Sequence, residues 1–332
     1  RLRDQCIWGV ANIAADCVEC KQAVRATGVL DVIANQMYIG EFHSAESTRC
    51  AIWCCLNILR GANVDLTTKT ARMLLTAITK TMRRFEWNED ILKDSLLTLS
   101  MLADDRNFSH HPRAWSEQID AMLDEPGLVP ATLAAIDTGN SAIVSPALRF
   151  IGNIITGTDE QTERVVMREG FVQLVGRYLG SSTSQVRREA AWILSNIAAG
   201  PAHHLDMILT NSSLIVMLLH SLHHDDIRMK KEVCWLIANC LSSLTTEPRP
   251  EKLSDFLGYG VLAIVDFATK SCNDTRLIGK IREVLSSLLI VHPEFWPVVE
   301  RAGAGATPLL EVPRRKRRVA DYVIYNEEAM EI

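Results

Sequence analysis

Ala190-Ala191-Trp192-Ile193-Leu194-Ser195-Asn196-Ile197 decides the fold, because the chain repeats it. The same pattern returns as Val233-Cys234-Trp235-Leu236-Ile237-Ala238-Asn239-Cys240. Earlier it occurs as Cys6-Ile7-Trp8-Gly9-Val10-Ala11-Asn12-Ile13 and as Ala51-Ile52-Trp53-Cys54-Cys55-Leu56-Asn57-Ile58. Each is W-x-x-x-N inside an apolar segment. A fifth copy, Ala147-Leu148-Arg149-Phe150-Ile151-Gly152-Asn153-Ile154, puts Arg in the Trp slot. Two weaker copies stand at Leu97/Met101 and Glu283/Ser287. Successive anchors at 8, 53, 97, 149, 192, 235 and 283 differ by 45, 44, 52, 43, 43 and 48 residues.

A period of about 40–47 residues is that of armadillo and HEAT arrays. The punctuation agrees. Gly61, Gly157 and Gly200 follow the motif segments, where helices commonly end on a left-handed glycine. Gly28, Gly170 and Gly260 mark a further turn before apolar stretches such as Val29-Leu30-Asp31-Val32-Ile33. No period-2 alternation occurs, so every regular element is expected to be a helix. The expected fold class is all-α, an armadillo-repeat right-handed superhelical solenoid over residues 1–306, with a tail over 307–332. The wide interval between anchors 97 and 149 holds Asp104-Asp105-Arg106-Asn107-Phe108-Ser109-His110-His111-Pro112, expected as a loop insertion. Arg1 leads straight into the last helix of a repeat, so that first repeat reads as incomplete and the chain as N-terminally truncated.

On a helical wheel of 100° per residue, Val186, Ala190, Ile193, Leu194 and Ile197 form the buried stripe. Trp192 lies about 140° from the stripe's centre and Asn196 about 100° from it. The other three Trp/Asn pairs share these offsets. Stacked repeats would therefore set the indoles in a row, exposed on the concave face. Slots between indoles suit the aliphatic stems of Lys or Arg, each gaining a cation–π attraction of about 0.5–2 kcal/mol. Asn one turn on is expected to donate and accept together, matching the N–H and C=O of an extended peptide. Carboxylates flank the row. Asp16 follows Asn12 by one turn, Asp159 closes the helix after Asn153, and Asp94 and Glu232 each precede an anchor by three residues.

Net charge over the 332 residues is −5, and about −10 without the Arg314-Arg315-Lys316-Arg317-Arg318 cluster. Such a body suits basic partners better than nucleic acid, and no apolar run is long enough to span a membrane. The nine Cys residues lack a secreted disulfide pattern, which suggests a reducing compartment. Cys6, Cys50, Cys234 and Cys240 fall in apolar helical patterns and read as small core residues. Cys17 and Cys20 form one CxxC with no second pair and no nearby His set, so they read as reduced thiols rather than a metal centre. The pairs His110-His111, His203-His204 and His223-His224 lack helical metal-site spacing with a third ligand. No phosphate-cradling glycine loop or nucleophile elbow occurs. Neither enzymatic activity nor a cofactor is expected.

The runs from Trp8 to Asp16, from Ala147 to Thr162 (with Thr-Gly-Thr-Asp-Glu-Gln-Thr at its end) and from Arg188 to Gly200 resemble importin alpha, the nuclear-import adaptor family. The resemblance spans roughly residues 1–303 and includes the Arg149 substitution. It implies two grooves for nuclear localisation signals. The major groove would use Trp8, Asn12, Asp16, Trp53, Asn57 and Asp94. The minor groove would use Arg149, Asn153, Thr156, Asp159, Trp192, Asn196, Glu232, Trp235 and Asn239. Cargo proteins with basic signals, importin beta (through an N-terminal segment absent here) and a nuclear export factor are the implied partners, with shuttling between cytoplasm and nucleus. The sequence departs from the family where Leu97 and Met101 replace Trp and Tyr, and where the family's first Trp/Asn pair is missing. The minor groove is therefore expected to carry more of the binding. Another armadillo scaffold, of adhesion or signalling type, is the alternative, although such grooves are generally basic. In the tail, Pro313-Arg314-Arg315-Lys316-Arg317-Arg318-Val319 itself looks like a localisation signal. Three readings fit it: a native element that binds a groove of a neighbouring molecule, a fused cargo peptide, or a disordered charged tail.

Overall fold

The computed structural model describes residues 2–61, 66–86, 88–108, 112–246, 260–261, 263–268 and 270–297, and among these every regular element is a helix. The chain divides into two compact units, Arg1–Val165 and a second that begins at Val166. In the first, α1 (Leu2–Asp16), α2 (Val18–Ala26) and α3 (Val29–Tyr38) lead to α4 (Ala45–Leu59), α5 (Thr68–Arg84) and α6 (Glu89–Leu102). There follow α7 (Pro112–Asp124), α8 (Leu128–Asp137), α9 (Ser141–Ile155) and α10 (Asp159–Val166), at whose end the boundary falls. The second unit continues with α11 (Phe171–Arg177), α12 (Ser184–Ala199), α13 (Ala202–Leu209), α14 (Ser212–His224), α15 (Ile227–Thr246) and α16 (Thr275–Val291).

The motif helices are long because their starts are capped and their apolar spacing is helical. Ser44, Asn88, Asn140 and Asp274 each accept a backbone N–H two or three residues on, opening α4, α6, α9 and α16. Each such cap is worth about 1 kcal/mol. Consecutive motif helices pack side by side within each unit: α1 on α4, α4 on α6 and α6 on α9, then α12 on α15 and α15 on α16. The expected stripe is the buried one, with Val186, Ala190, Ile193, Leu194 and Ile197 all 1% exposed or less.

One corner recurs. Gly28, Gly127 and Gly170 have φ of 71°, 72° and 72° immediately before α3, α8 and α11. Left-handed backbone there turns a short helix into the next one, and a Cβ would cost roughly 1–2 kcal/mol. This corrects the sequence assignment of left-handed glycines to the motif-helix ends. Gly61 fits it at φ 99°, but Gly200 has φ −81°, and Gly157 is not among the positive-φ residues.

The expected insertion is partly folded. A 3₁₀ turn runs over Asp105–Phe108, the Arg106 guanidinium grips Asp104 through two bonds of 3.0 and 2.6 Å, and Asn107 Nδ2 donates to Met101 O at 2.7 Å. The expected end of the array at residue 306, the tail over 307–332 and its 313–319 basic motif lie outside the described residues.

Candidate functional site

The asparagines sit where neighbouring motif helices meet. Asn57 Nδ2 donates to Ala11 O (3.3 Å), Asn153 Nδ2 to Ser100 O (2.8 Å) and Asn239 Nδ2 to Ser195 O (2.9 Å). Each acceptor is the carbonyl one residue before the equivalent position of the preceding motif helix: Asn12, Met101 and Asn196. The bond is thus a repeated cross-tie. Asn12 instead turns back on Trp8 O at 2.8 Å in its own helix. Asn196 departs from the pattern, with a buried Nδ2 that has no hydrogen-bond partner among the described residues. Sequence reasoning gave each amide both a donor and an acceptor role toward a ligand. In the cross-tied three one of the two Nδ2–H donors is committed, while the second and the carbonyl oxygen Oδ1 have no protein partner among the described residues, so both roles stay open.

The tryptophans depart from expectation. Trp8 is 56% exposed and Trp53 half-buried, but Trp192 and Trp235 are only 7% and 8% exposed. A helical wheel treats a helix as if it had one neighbour beneath it. An inner helix of a stack has neighbours on both flanks as well, and α15, carrying Trp235, lies between α12 and α16. α4, carrying Trp53, lies between α1 and α6, whereas α1 packs on α4 and α2. Flanking accounts for Trp235; Trp192 on α12 is as little exposed, and both rings project less than the wheel implies.

The carboxylates also separate into two kinds. Asp16 and Asp159 are exposed, whereas Asp94 and Glu232 retain 9% and 6% exposure. Burial pushes the Asp94 carboxyl above the ordinary carboxylate range, against the opposing pull of Lys93 and Arg49. Asp159 does not close the motif helix. That helix, α9, ends at Ile155 with Thr156 as its C-cap, and Asp159 opens α10, where an acidic residue complements the helix dipole. Thr156 Oγ1 donates to Asn153 O at 2.8 Å, and Arg149 is half-buried. Leu97 and Met101, where the motif lapses, are half-buried too.

Outside the row, all nine thiols are free. Cys234 and Cys240 are buried as expected; Cys54 and Cys55 are buried too, and burial pushes the Cys54 thiol up to about 12. Cys6 is a correction, being exposed to solvent, and Cys50 is only partly buried. One His pair that the sequence reading passed over has helical spacing. His220 and His224 on α14 bring their ring centroids to 4.5 Å, with no third ligand close enough to complete a group among the described residues.

Comparison with known proteins follows the same division between repeat and detail. No family model matches the chain. Importin subunit alpha-1b of Oryza sativa subsp. japonica is 27% identical over 191 residues, 58% of this chain and 33% of that protein. Importin subunit alpha-3 of Arabidopsis thaliana is 27% identical over 193 residues, again 58% and 33%. The chain thus spans about a third of the length of these curated relatives. Among solved structures, an engineered protein matches with a TM-score of 0.71 at 20% identity, covering 92% of this chain and 68% of that one. A designed armadillo repeat protein in complex with the peptide (KR)4 matches at 0.60 and 19%, covering 78% and 98%. Likeness of this degree establishes the all-α armadillo fold.

Proposed function

We propose that this importin-alpha-like armadillo-repeat chain is a nuclear-import adaptor that holds Lys/Arg-rich localisation signals in an extended conformation along its Trp/Asn row. One observation carries the reading. Asn57 and Asn153 in the first unit and Asn239 in the second are pinned by their amide nitrogens in every second motif copy, each leaving its Oδ1 as an acceptor. A row of fixed acceptors suits the N–H groups of an extended main chain, whatever its side chains. Selection for cations then falls to carboxylates. Asp94 favours it most, since a desolvated carboxylate gains more from an arriving ammonium than a hydrated one does.

Trp8 and Trp53 offer ring faces for Lys or Arg stems, with Asn12, Asp16 and Asn57 beside them. Arg149, Thr156 and Asp159 extend the site in the first unit. In the second unit Trp192, Asn196, Glu232, Trp235 and Asn239 form a more enclosed set, which we assign the larger share of the affinity. The (KR)4 ligand of the designed armadillo neighbour has the chemistry this reading requires. Assembly with importin beta, return through an export factor and shuttling between cytoplasm and nucleus belong to the same proposal.

The test is anisotropy of a labelled Pro-Arg-Arg-Lys-Arg-Arg-Val peptide titrated with the full chain, beside a control with Glu at each basic position. The basic peptide is expected to bind and the control not to. Raising salt should weaken binding on the order of tenfold, because exposed charge pairs are screened. Equal binding of both peptides would remove the proposal.

A further inference from the structure

The CxxC that the sequence left as two isolated thiols has a third group beside it. Asp16 ends α1, Cys17 links the two helices in extended conformation (φ −145°, ψ 171°), and Cys20 lies in the first turn of α2. Cys17 Sγ caps α2 by accepting the Cys20 N–H at 3.3 Å, and Cys20 Sγ lies 3.7 Å from Asp16 Oδ2. The three ligand atoms all fall within 4.8 Å of one another. Three anionic or acid-forming groups thus converge at a corner open to solvent.

The cationic side chains next along α2 bond elsewhere among the described residues: Lys21 Nζ donates to Arg60 O at 3.0 Å, and Arg25 donates to Ile58 O and Arg60 O. The crowding has an electrostatic cost. The hydrogen bond with Cys17, aided by desolvation and by the charges of Cys17 and Asp16, pushes the Cys20 thiol up to about 11.

We propose that Asp16, Cys17 and Cys20 form a three-ligand site for a thiophilic divalent cation of the Zn²⁺ class, with a fourth position open to water. A tetrahedral ion with Zn–S near 2.3 Å and Zn–O near 2.1 Å sets these ligand atoms roughly 3.6–3.8 Å apart. Closing to that spacing takes side-chain rotation of about an ångström, with no movement of either helix. The Cys20 N–H to Cys17 Sγ bond stabilises the bound thiolate and orients its lone pairs. Two sulfurs select against Mg²⁺ and Ca²⁺, which take oxygen ligands. Binding forms two metal–sulfur bonds and one metal–oxygen bond, and releases two thiol protons to the buffer. No electron is transferred. The site shares Asp16 with the peptide-binding reading, but its test needs no peptide and reads the thiolates alone.

Co²⁺ is the probe, because thiolate ligation gives it a sulfur-to-metal charge-transfer absorption. Titrated into the full chain under a non-chelating phosphine reductant, one equivalent should produce that band, and Zn²⁺ should displace it. The Cys17→Ser/Cys20→Ser variant should lose the band while keeping its far-ultraviolet dichroism, since Ser caps a helix at least as well as Cys. Asp16→Asn should retain the band with affinity lowered tenfold or more. The His220/His224 pair cannot imitate the result, as it carries no sulfur. An absent band in the unmodified protein, or an unchanged one in the double variant, would overturn the site.

Discussion

Asp94 illustrates how one residue ties stability to binding. Its carboxyl is 9% exposed and held above the ordinary carboxylate range by burial. A raised acid pKa means that ionisation opposes folding. The penalty is full above the folded value and disappears as pH falls through it. Basic-peptide affinity should run the other way, declining as pH drops through Asp94's elevated pKa, a window above the ~3.9 of a free Asp. Asp94→Asn is expected to raise the melting temperature and to lower basic-peptide affinity on the order of tenfold, the worth of one charge-assisted contact. It should also flatten the pH profile of binding in that window. Parallel melting and anisotropy measurements check both signs. Asn239 makes the complementary case. It is 6% exposed and ties α15 to α12 through Ser195 O. Asn239→Ala should cost about 1–3 kcal/mol, because a buried carbonyl loses its second partner. Asn239→Asp should cost more, since a carboxylate repels that carbonyl, and denaturant unfolding would rank the two.

At the scale of elements, a clamp in the second unit shows how repeats are fastened. Arg187 in α12 makes a two-pronged bond to Asp225, before α15, at 2.6 and 2.7 Å, while its third nitrogen donates to Ser181 O at 2.8 Å. The Arg187 guanidinium holds the Asp225 carboxyl below its usual range. A depressed carboxylate pKa gives stability that is present above the unfolded value and lost as pH falls through the folded one. Arg187→Ala should cost about 2–4 kcal/mol and remove part of the loss of stability on acidification, measured by thermal melts at neutral and acid pH. None of this pairing was legible beforehand, because Arg187 and Asp225 belong to different repeats and each alone reads as a surface charge. The motif helices themselves were legible, stripe and all, since period and burial arise within one element. Trp235 was misjudged for the converse reason: its helix has a motif helix on each flank, and a wheel contains neither. Asp159 shifted from the end of one helix to the start of the next because Thr156 ends α9 early.

For the molecule as a whole, repetition makes function a property of rows rather than of single residues. No described helix is long and apolar enough to cross a membrane, and the Trp, Asn and acidic positions recur in both units. Loss of binding should therefore be graded. Replacing Trp192 and Trp235 by Ala should weaken a Lys/Arg peptide more than replacing Trp8 and Trp53. It should also lower the melting temperature more, because the first pair is 7% and 8% exposed while Trp8 is 56% exposed. Scaling each affinity to the folded fraction separates the two effects, and a larger corrected loss from the Trp8/Trp53 pair would reverse the assignment between units. The most direct measurement concerns the grip on the main chain. A Pro-Arg-Arg-Lys-Arg-Arg-Val peptide methylated on alternate backbone nitrogens keeps every charge but cannot donate to the Asn Oδ1 atoms. Its affinity is expected to fall at least tenfold in one of the two methylation registers, with its salt dependence unchanged. Binding as tight as that of the unmethylated peptide in both registers would contradict recognition by the asparagine row and leave only attraction between charges.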